Sequence, residues 1–430
     1  AAILGLQGGS KPTRIFNHSI NAKGPCRMTH MSAWAVAIDQ LSFEKDILVV
    51  QSTGNLLTGA VTDWMNATAS VSGNAYPGYL DAASSRISDP AHSLQALTVG
   101  SVTYDGFNNG RWQSFASGPD EPSAFTRCGL GIWGTIKPEV VDYGGDYLHT
   151  SSQGHVDVAF PTVPDPPYPN LVRATLGVGP AVDRDQVGTS FAAPKVTHIA
   201  AHLQALLPNE PALLYRALIV QSARWPRWAL ALLDAYRTEK EKNRVQRQRI
   251  KAAEKRARAK GTPTIPGSIA PVDVSREQEL ERELHNVVRR LGFGIPDLGR
   301  ATSNTDYRTT LITSGLRRLE AKACDILQVP VPAAVRAAGN DYDVLVEVTL
   351  SYAAQPRRTR RTTKRYLATW LDWISNKPGE TLEQFRARAL KPSDSDEDAD
   401  GAAGTNKDTI PWALGTQATR GSVRDVTRGN

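Results

Sequence analysis

The stretch "DQVGTSFAAPKVTHIAA", residues 185–201, decides the reading of this chain. Ser190 stands between Gly188-Thr189 and a run of small apolar residues that ends at Pro194. Gly188 permits a tight turn, and the apolar spacing that follows predicts a buried helix over 190–206. Pro194 then falls in the first turn, where a missing N–H costs little. Ala192 and Ala193 let such a helix lie close against a sheet. The Ser190 hydroxyl emerges near the helix N-terminus, where free N–H groups and the helix dipole favour developing negative charge. A nucleophile for acyl transfer needs that exposure, a rigid mount and a nearby oxyanion donor. A bare Gly-Thr-Ser is equally an ordinary cap, so the rest of the chain has to decide.

Upstream, "TRIFNHSI" (13–20) reads as a short strand. Residues 29–45, "THMSAWAVAIDQLSFEK", have helical spacing, with Met31, Trp34, Ala35, Ile38 and Leu41 on one face and Thr29 or Ser32 as the cap. "DILVVQSTGN" follows with a continuous apolar run. Strand, helix and all-apolar strand make a βαβ unit in a buried parallel sheet. "LQALTVGSV" (94–102) and "IKPEVVDYGG" (136–145) add two more strands, and a second helix is expected over 210–223. The segment at 161–170 is a Pro-rich loop.

Length and composition bound the remainder. The 430 residues, 40% hydrophobic and 22% charged, suffice for a full core and exceed one average domain. The net charge of +7 is modest and partly local. Much of it sits in "RTEKEKNRVQRQRIKAAEKRARAK" (237–260), read as a solvated helical excursion. Without interleaved aromatics that segment argues weakly for nucleic acid. The cysteines Cys26, Cys128 and Cys324 are odd in number and far apart, with no C-x-x-C or Cys/His spacing, so neither a disulfide framework nor a zinc site is expected. No apolar run reaches the roughly 18 to 20 residues of a membrane span. No loop rich in Asp and Asn compels calcium, and no cofactor is expected. Few cysteines and long charged insertions lean towards the cytoplasm.

Past residue 305 the period changes to 2. "YDVLVEVTLSY" (342–352) alternates Val344, Val346, Val348 and Leu350 with mostly polar neighbours, and "KRYLATWLDWIS" (364–375) is the expected partner strand. The basic "QPRRTRRTTK" between them reads as a hairpin end. "SDSDEDADGAAGTNKD" (393–408) reads as an acidic spacer.

"GTSFAAP" resembles the nucleophile motif of the subtilisin-like serine peptidases, the subtilases. Other segments follow in the family's order. "VVQSTGN" resembles the strand that ends in an oxyanion-hole asparagine, here Asn55. "RIFNHSI" resembles the strand that pairs with substrate. "GFGIPDLGRA" resembles the closing segment, so the likeness spans roughly 13–300. It implies an α/β fold: a parallel-sheet, three-layer subtilisin-like domain over 1–304 with a basic helical insertion at about 237–270. A smaller β-rich domain over 305–392 and an acidic spacer and tail over 393–430 complete the expected organisation.

The resemblance implies a serine endopeptidase acting on protein or peptide substrates. Ser190 is then the nucleophile and Asn55 the side-chain oxyanion donor. Ser52, Thr53 and Gly54 line the pocket for the residue before the scissile bond, and Ser19, Ile20 and Asn21 lie along the bound peptide. Ile20 and Asn21 depart from the family's small residue and glycine, which implies a differently shaped unprimed side. The family's Asp and His precede the asparagine, the His in a His-Gly-Thr context. This chain has no His-Gly-Thr, and none of its eight histidines occupies that place. The expectation is therefore that an N-terminal segment carrying Asp and His lies upstream or on another polypeptide, and that these residues alone are inactive. The alternative is a non-catalytic subtilase-like scaffold that binds peptides. The presence of both Ser190 and Asn55 favours the peptidase.

Overall fold

The structure is a computed structural model. It describes residues 5–6, 12–72, 76–152, 154–159, 161, 168–170, 186–259, 272–313, 315, 317–320, 323–329, 344–357, 366–368, 371, 374–376, 379–390 and 422–429. Four parallel strands form its central sheet in the order β1-β2-β3-β5: β1 (Ile15–His18), β2 (Leu48–Ser52), β3 (Leu97–Val102) and β5 (Val140–Tyr143). Ile15 pairs with Leu48, Val50 with Leu97 and Val99 with Val140. Every residue of β2 and β3 is buried. That is why these strands read as continuous apolar runs rather than alternating ones.

Helices cover both faces. On one side α1 (Ala33–Lys45) brings Ile38 against Ile47, Val49 and Ala96. Its cap is Ser32, whose hydroxyl accepts the Ala35 N–H. On the other side lie α3 (Thr189–Leu206) and α4 (Ala212–Ser222). Ala192, Ala193, Val196, Ala200 and Leu203 of α3 pack on Leu48, Val50, Val99 and Val140. The small residues at 192, 193 and 200 permit this close approach. The expected three-layer α/β architecture is thus present.

Helix α2 (Thr58–Ser72) follows β2 directly. Beside it an antiparallel sheet of β4 (Gln113–Ser114), β6 (Leu148–Ser152) and β7 (His155–Ala159) carries His149 and His155. The two histidines thus lie in a β-hairpin, with Gly154 at φ +80° in its turn.

The basic segment is helical as expected but begins earlier, as α5 (Arg227–Ala259). It forms a hairpin with α6 (Ser275–Leu291), where Asn243 Nδ2 donates to Glu277 Oε2 at 2.8 Å. Val287 and Leu291 carry α6 onto Val102 and Val141 of the sheet. Helix α7 (Leu298–Thr302) follows.

The strand expected over 342–352 is present as β8 (Val344–Ser351), but its partner is not the 364–375 segment. Strand β9 (Ser422–Gly429), from the stretch read as tail, pairs antiparallel with all of β8. Around Leu367 the described residues make one isolated bridge, to Pro356. The physical reason is burial. Tyr366 and Leu367 are consecutive and both buried, against Met31, Ala35, Leu94 and Ile132, whereas a half-buried strand alternates. Tyr366 also donates its hydroxyl to the buried Asp39 carboxylate at 2.5 Å. A further helix, α8 (Leu382–Ala389), has a complete capping box from Thr381 and Gln384. The Pro-rich loop and the acidic spacer lie mostly or wholly outside the described residues.

Candidate active site

Ser190 sits in the first turn of α3, beside the C-terminal ends of β1 and β2. The turn before it is held from behind: the Gly188 N–H donates to the Gly144 carbonyl at 2.8 Å, just past β5. Gly188 has φ +154°, and a Cβ there would stand 3.0 Å from Asn55 Nδ2. A side chain at 188 would thus press on the asparagine as well as strain the backbone.

Asn55 crosses to this turn from the end of β2. Its Oδ1 accepts from both the Thr189 N–H, at 3.0 Å, and the Thr189 hydroxyl, at 2.9 Å. Those two bonds fix which amide atom faces which way. The oxygen is occupied by Thr189, and Nδ2 is turned towards the Gly188–Ser190 corner as a donor. Thr189 was not singled out in the sequence, although the middle letter of Gly-Thr-Ser was its signal.

The two flanking strands are laced together. Ser190 Oγ donates to the Ser19 carbonyl at 3.4 Å, and Ser19 Oγ donates to the Ser190 carbonyl at 3.3 Å. Asn21 grips Ser52 twice: its Nδ2 donates to the Ser52 carbonyl at 2.8 Å, and its Oδ1 accepts from Ser52 Oγ at 2.6 Å. Gln51 Nε2 reaches the Ile20 carbonyl at 3.3 Å. Ile20 itself is 63% exposed. Thr53 is buried and its N–H donates to Val99. Gly54, at φ +93°, runs so close to Ser88 and Arg127 that a Cβ would lie 2.8 Å from Ser88 Oγ. Arg127 braces the floor beneath it, donating to the carbonyls of Asn55, Ser84, Arg86 and Lys23. Ser19, Ile20, Asn21, Ser52, Thr53, Gly54, Asn55 and Ser190 are therefore brought into one neighbourhood. Gln51 and Arg127 join it without having been foreseen.

One histidine, His18, borders this neighbourhood through Gln51. Among the described residues no histidine hydrogen-bonds to Ser190. His18 Nδ1 pairs with Gln51 Oε1 at 2.5 Å, and its ring meets Trp34 edge-on. His92 Nε2 accepts the Ser32 N–H. His149 packs on Phe115, and His155 stands 3.4 Å from Asp157. His198 and His202 lie further along α3.

Buried charges shape the surroundings. Burial pushes the Asp142 carboxyl, at the end of β5, up to about 6, partly opposed by the Tyr143 N–H and by Lys195. It pushes Asp146 up to about 7 against hydrogen bonds from the N–H groups of Ala124, Ala116, Tyr147 and Phe115. Both keep carboxyls protonated further into neutral pH than usual, which lowers the charge stored behind the Gly188 turn.

A subtilase family model matches residues 2–256, more than half of the chain. The chain belongs to the subtilase family. This subtilase is 26% identical over 364 residues to the uncharacterized protein y4bN of Sinorhizobium fredii, covering 84% of this chain and 71% of that one. Among solved structures, the prenylagaramide maturation protease PagA aligns at 15% identity with a TM-score of 0.29, over 67% of this chain and 60% of that one. The patellamide maturation protease PatA aligns at 18% identity with a TM-score of 0.24, over 49% and 53%. This chain thus spans a little more than half the length of either.

Proposed function

We propose that this site is the nucleophile and oxyanion half of a serine endopeptidase. Ser190 Oγ attacks the carbonyl carbon of a peptide bond, and its proton passes to a general base. The tetrahedral oxyanion is held by Asn55 Nδ2 and by the Ser190 N–H at the helix N-terminus. Collapse expels the amine, which takes the proton back, and water then hydrolyses the acyl-enzyme in the reverse sense. A peptide running along Ser19, Ile20 and Asn21, with Ser52, Thr53 and Gly54 flanking its side chain, presents the scissile carbonyl to this corner. The base and its orienting carboxylate come from a segment carrying His and Asp that is not among these residues, supplied in cis or in trans.

The observation that carries the reading is the double acceptance by Asn55 Oδ1, which commits Nδ2 to donate beside Ser190. A plain structural cap needs no such commitment. One observation favours a second reading, a peptide-binding scaffold: Ser190 Oγ bonds a backbone carbonyl rather than a base. The two separate cleanly. In the protein completed with its Asp and His segment, Ser190→Ala should abolish peptide turnover while the melting temperature holds. Undiminished turnover by that variant would sink the peptidase assignment, and absence of turnover in the completed parent would favour the scaffold.

A further inference from the structure

The face of α3 that turns away from the sheet carries two histidines one turn apart. His198 and His202 are spaced i, i+4, which places both on one side of the helix. Both are exposed, while Ile199, Ala200 and Leu203 are buried on the opposite side. Their ring centroids are 4.5 Å apart and the rings are inclined at 75°. Among the described residues neither imidazole has a hydrogen-bond or ion-pair partner, so both keep their nitrogens for a ligand.

A divalent metal bound to one nitrogen of each ring at about 2.0 to 2.1 Å requires those nitrogens roughly 3 Å apart. Rings at this centroid spacing meet that requirement by side-chain rotation alone. H-x-x-x-H on a helix is the same two-point geometry that seats zinc in helical metal motifs. Here the intervening residues are Ile199, Ala200 and Ala201, with no carboxylate to act as a base. The arrangement is suited to holding a metal rather than to using one.

We infer that His198 and His202 form a two-point site for a divalent transition metal such as Zn²⁺, Ni²⁺ or Cu²⁺. Water fills the remaining coordination positions, since no group of three or more His, Cys, Asp or Glu residues converges among the described residues. Imidazole ligands suit these ions, whereas Ca²⁺ and Mg²⁺ need oxygen donors. Cu²⁺ should bind most tightly of the three. The unfolded chain does not hold the two rings together, so the bound metal stabilises α3. It does so between about 12 and 18 Å along the helix from Ser190, at 1.5 Å per residue.

The test is a calorimetric titration of the tag-free 430-residue chain with NiCl₂ near neutral pH. Variants His198→Ala and His202→Ala are compared with His155→Ala. His155 is the control because it is also exposed and lies close to a carboxylate, Asp157. The expected result is one Ni²⁺ per chain, weakened about tenfold or more by either α3 substitution and unchanged by His155→Ala. Both α3 positions are solvent-facing, so metal-free melting curves should coincide with the parent. No saturable binding by the parent, affinity retained after either α3 substitution, or loss caused by His155→Ala would each overturn the site. None of these readouts depends on peptide turnover.

Discussion

Helices α3 and α5 are built on opposite principles. The 18 residues of α3 are positioned by shape: Ala192, Ala193, Val196 and Leu203 interlock with three strands. The 33 residues of α5 are positioned mainly by their beginning and by one partner helix. Ala229 and Leu233 are buried, Asn243 bonds Glu277, and the exposed side of the helix carries surface ion pairs such as Lys242 with Glu239 and Arg244 with Glu241. A group that must stand within tenths of an ångström of its partner belongs on the first kind of helix. Ser190 opens α3, and its geometry inherits the rigidity of close packing.

The largest effect that would sharpen this contrast is at the corner α3 creates. Asn55→Ala removes the amide held in place by Thr189, and under the proposed peptidase reading, with an Asp and His segment supplied, it should lower kcat about 100- to 1,000-fold with little change in KM. That range is the one established for such a donor in subtilisin. A loss confined to KM would take Asn55 out of the oxyanion hole and leave it a packing residue.

Next in size is an acid sensitivity of the buried framework. Burial pushes His92 down to about 4, and Asp89 opposes this only in part. His92 is neutral in the fold, where its Nε2 accepts the N–H of Ser32, the cap of α1. Between its unfolded value near 6.5 and its folded value, the unfolded chain binds the extra proton. Stability contributed by this group is therefore present above about 6.5 and lost as pH falls towards 4, by up to roughly 3 kcal/mol. Urea midpoints measured across that window should fall with acid, and His92→Gln should flatten the slope. An unchanged slope in the variant would assign the sensitivity to another group.

The core of α3 should then tolerate little added volume. Ala193 is fully buried against the sheet, so Ala193→Leu should cost about 1 to 3 kcal/mol of unfolding free energy through overpacking. A variant as stable as the parent would mean that α3 is not tightly seated, and the contrast with α5 would fail.

What the sequence made legible follows the same division. Strands β2 and β3 and helix α3 were readable because burial on both faces leaves continuous apolar runs, and a small-residue helix start leaves Gly-Thr-Ser and two alanines. The neighbourhood of Ser190 and Asn55 was readable through the family resemblance. Thr189, Gln51 and Arg127 were not, because their contributions are hydrogen bonds to residues between 31 and 134 positions away, which no local pattern encodes. Strand β9 was missed for a related reason. Its pairing with β8 joins segments more than seventy residues apart, and the nearer "KRYLATWLDWIS" offered a more apolar but wrong partner. The pair His198 and His202 was visible as letters, but only the exposed face of α3 gives their spacing a meaning.

The smallest expected effect completes the comparison. Arg244 bonds Glu241 through both Nε, at 2.6 Å, and a terminal nitrogen, at 2.7 Å, which is good bidentate geometry. Both side chains are more than half exposed. Water and salt screen such a pair, and ordering two long side chains costs entropy, so geometry alone does not make it strong. Arg244→Ala should lower the urea midpoint of unfolding only slightly, and less still at high salt. Alanine's higher helix propensity offsets part even of that. A loss several times larger in urea unfolding would mean that α5 is held by its surface charges after all, and that the basic helix is a structural element in its own right rather than a solvated excursion from the fold that positions Ser190.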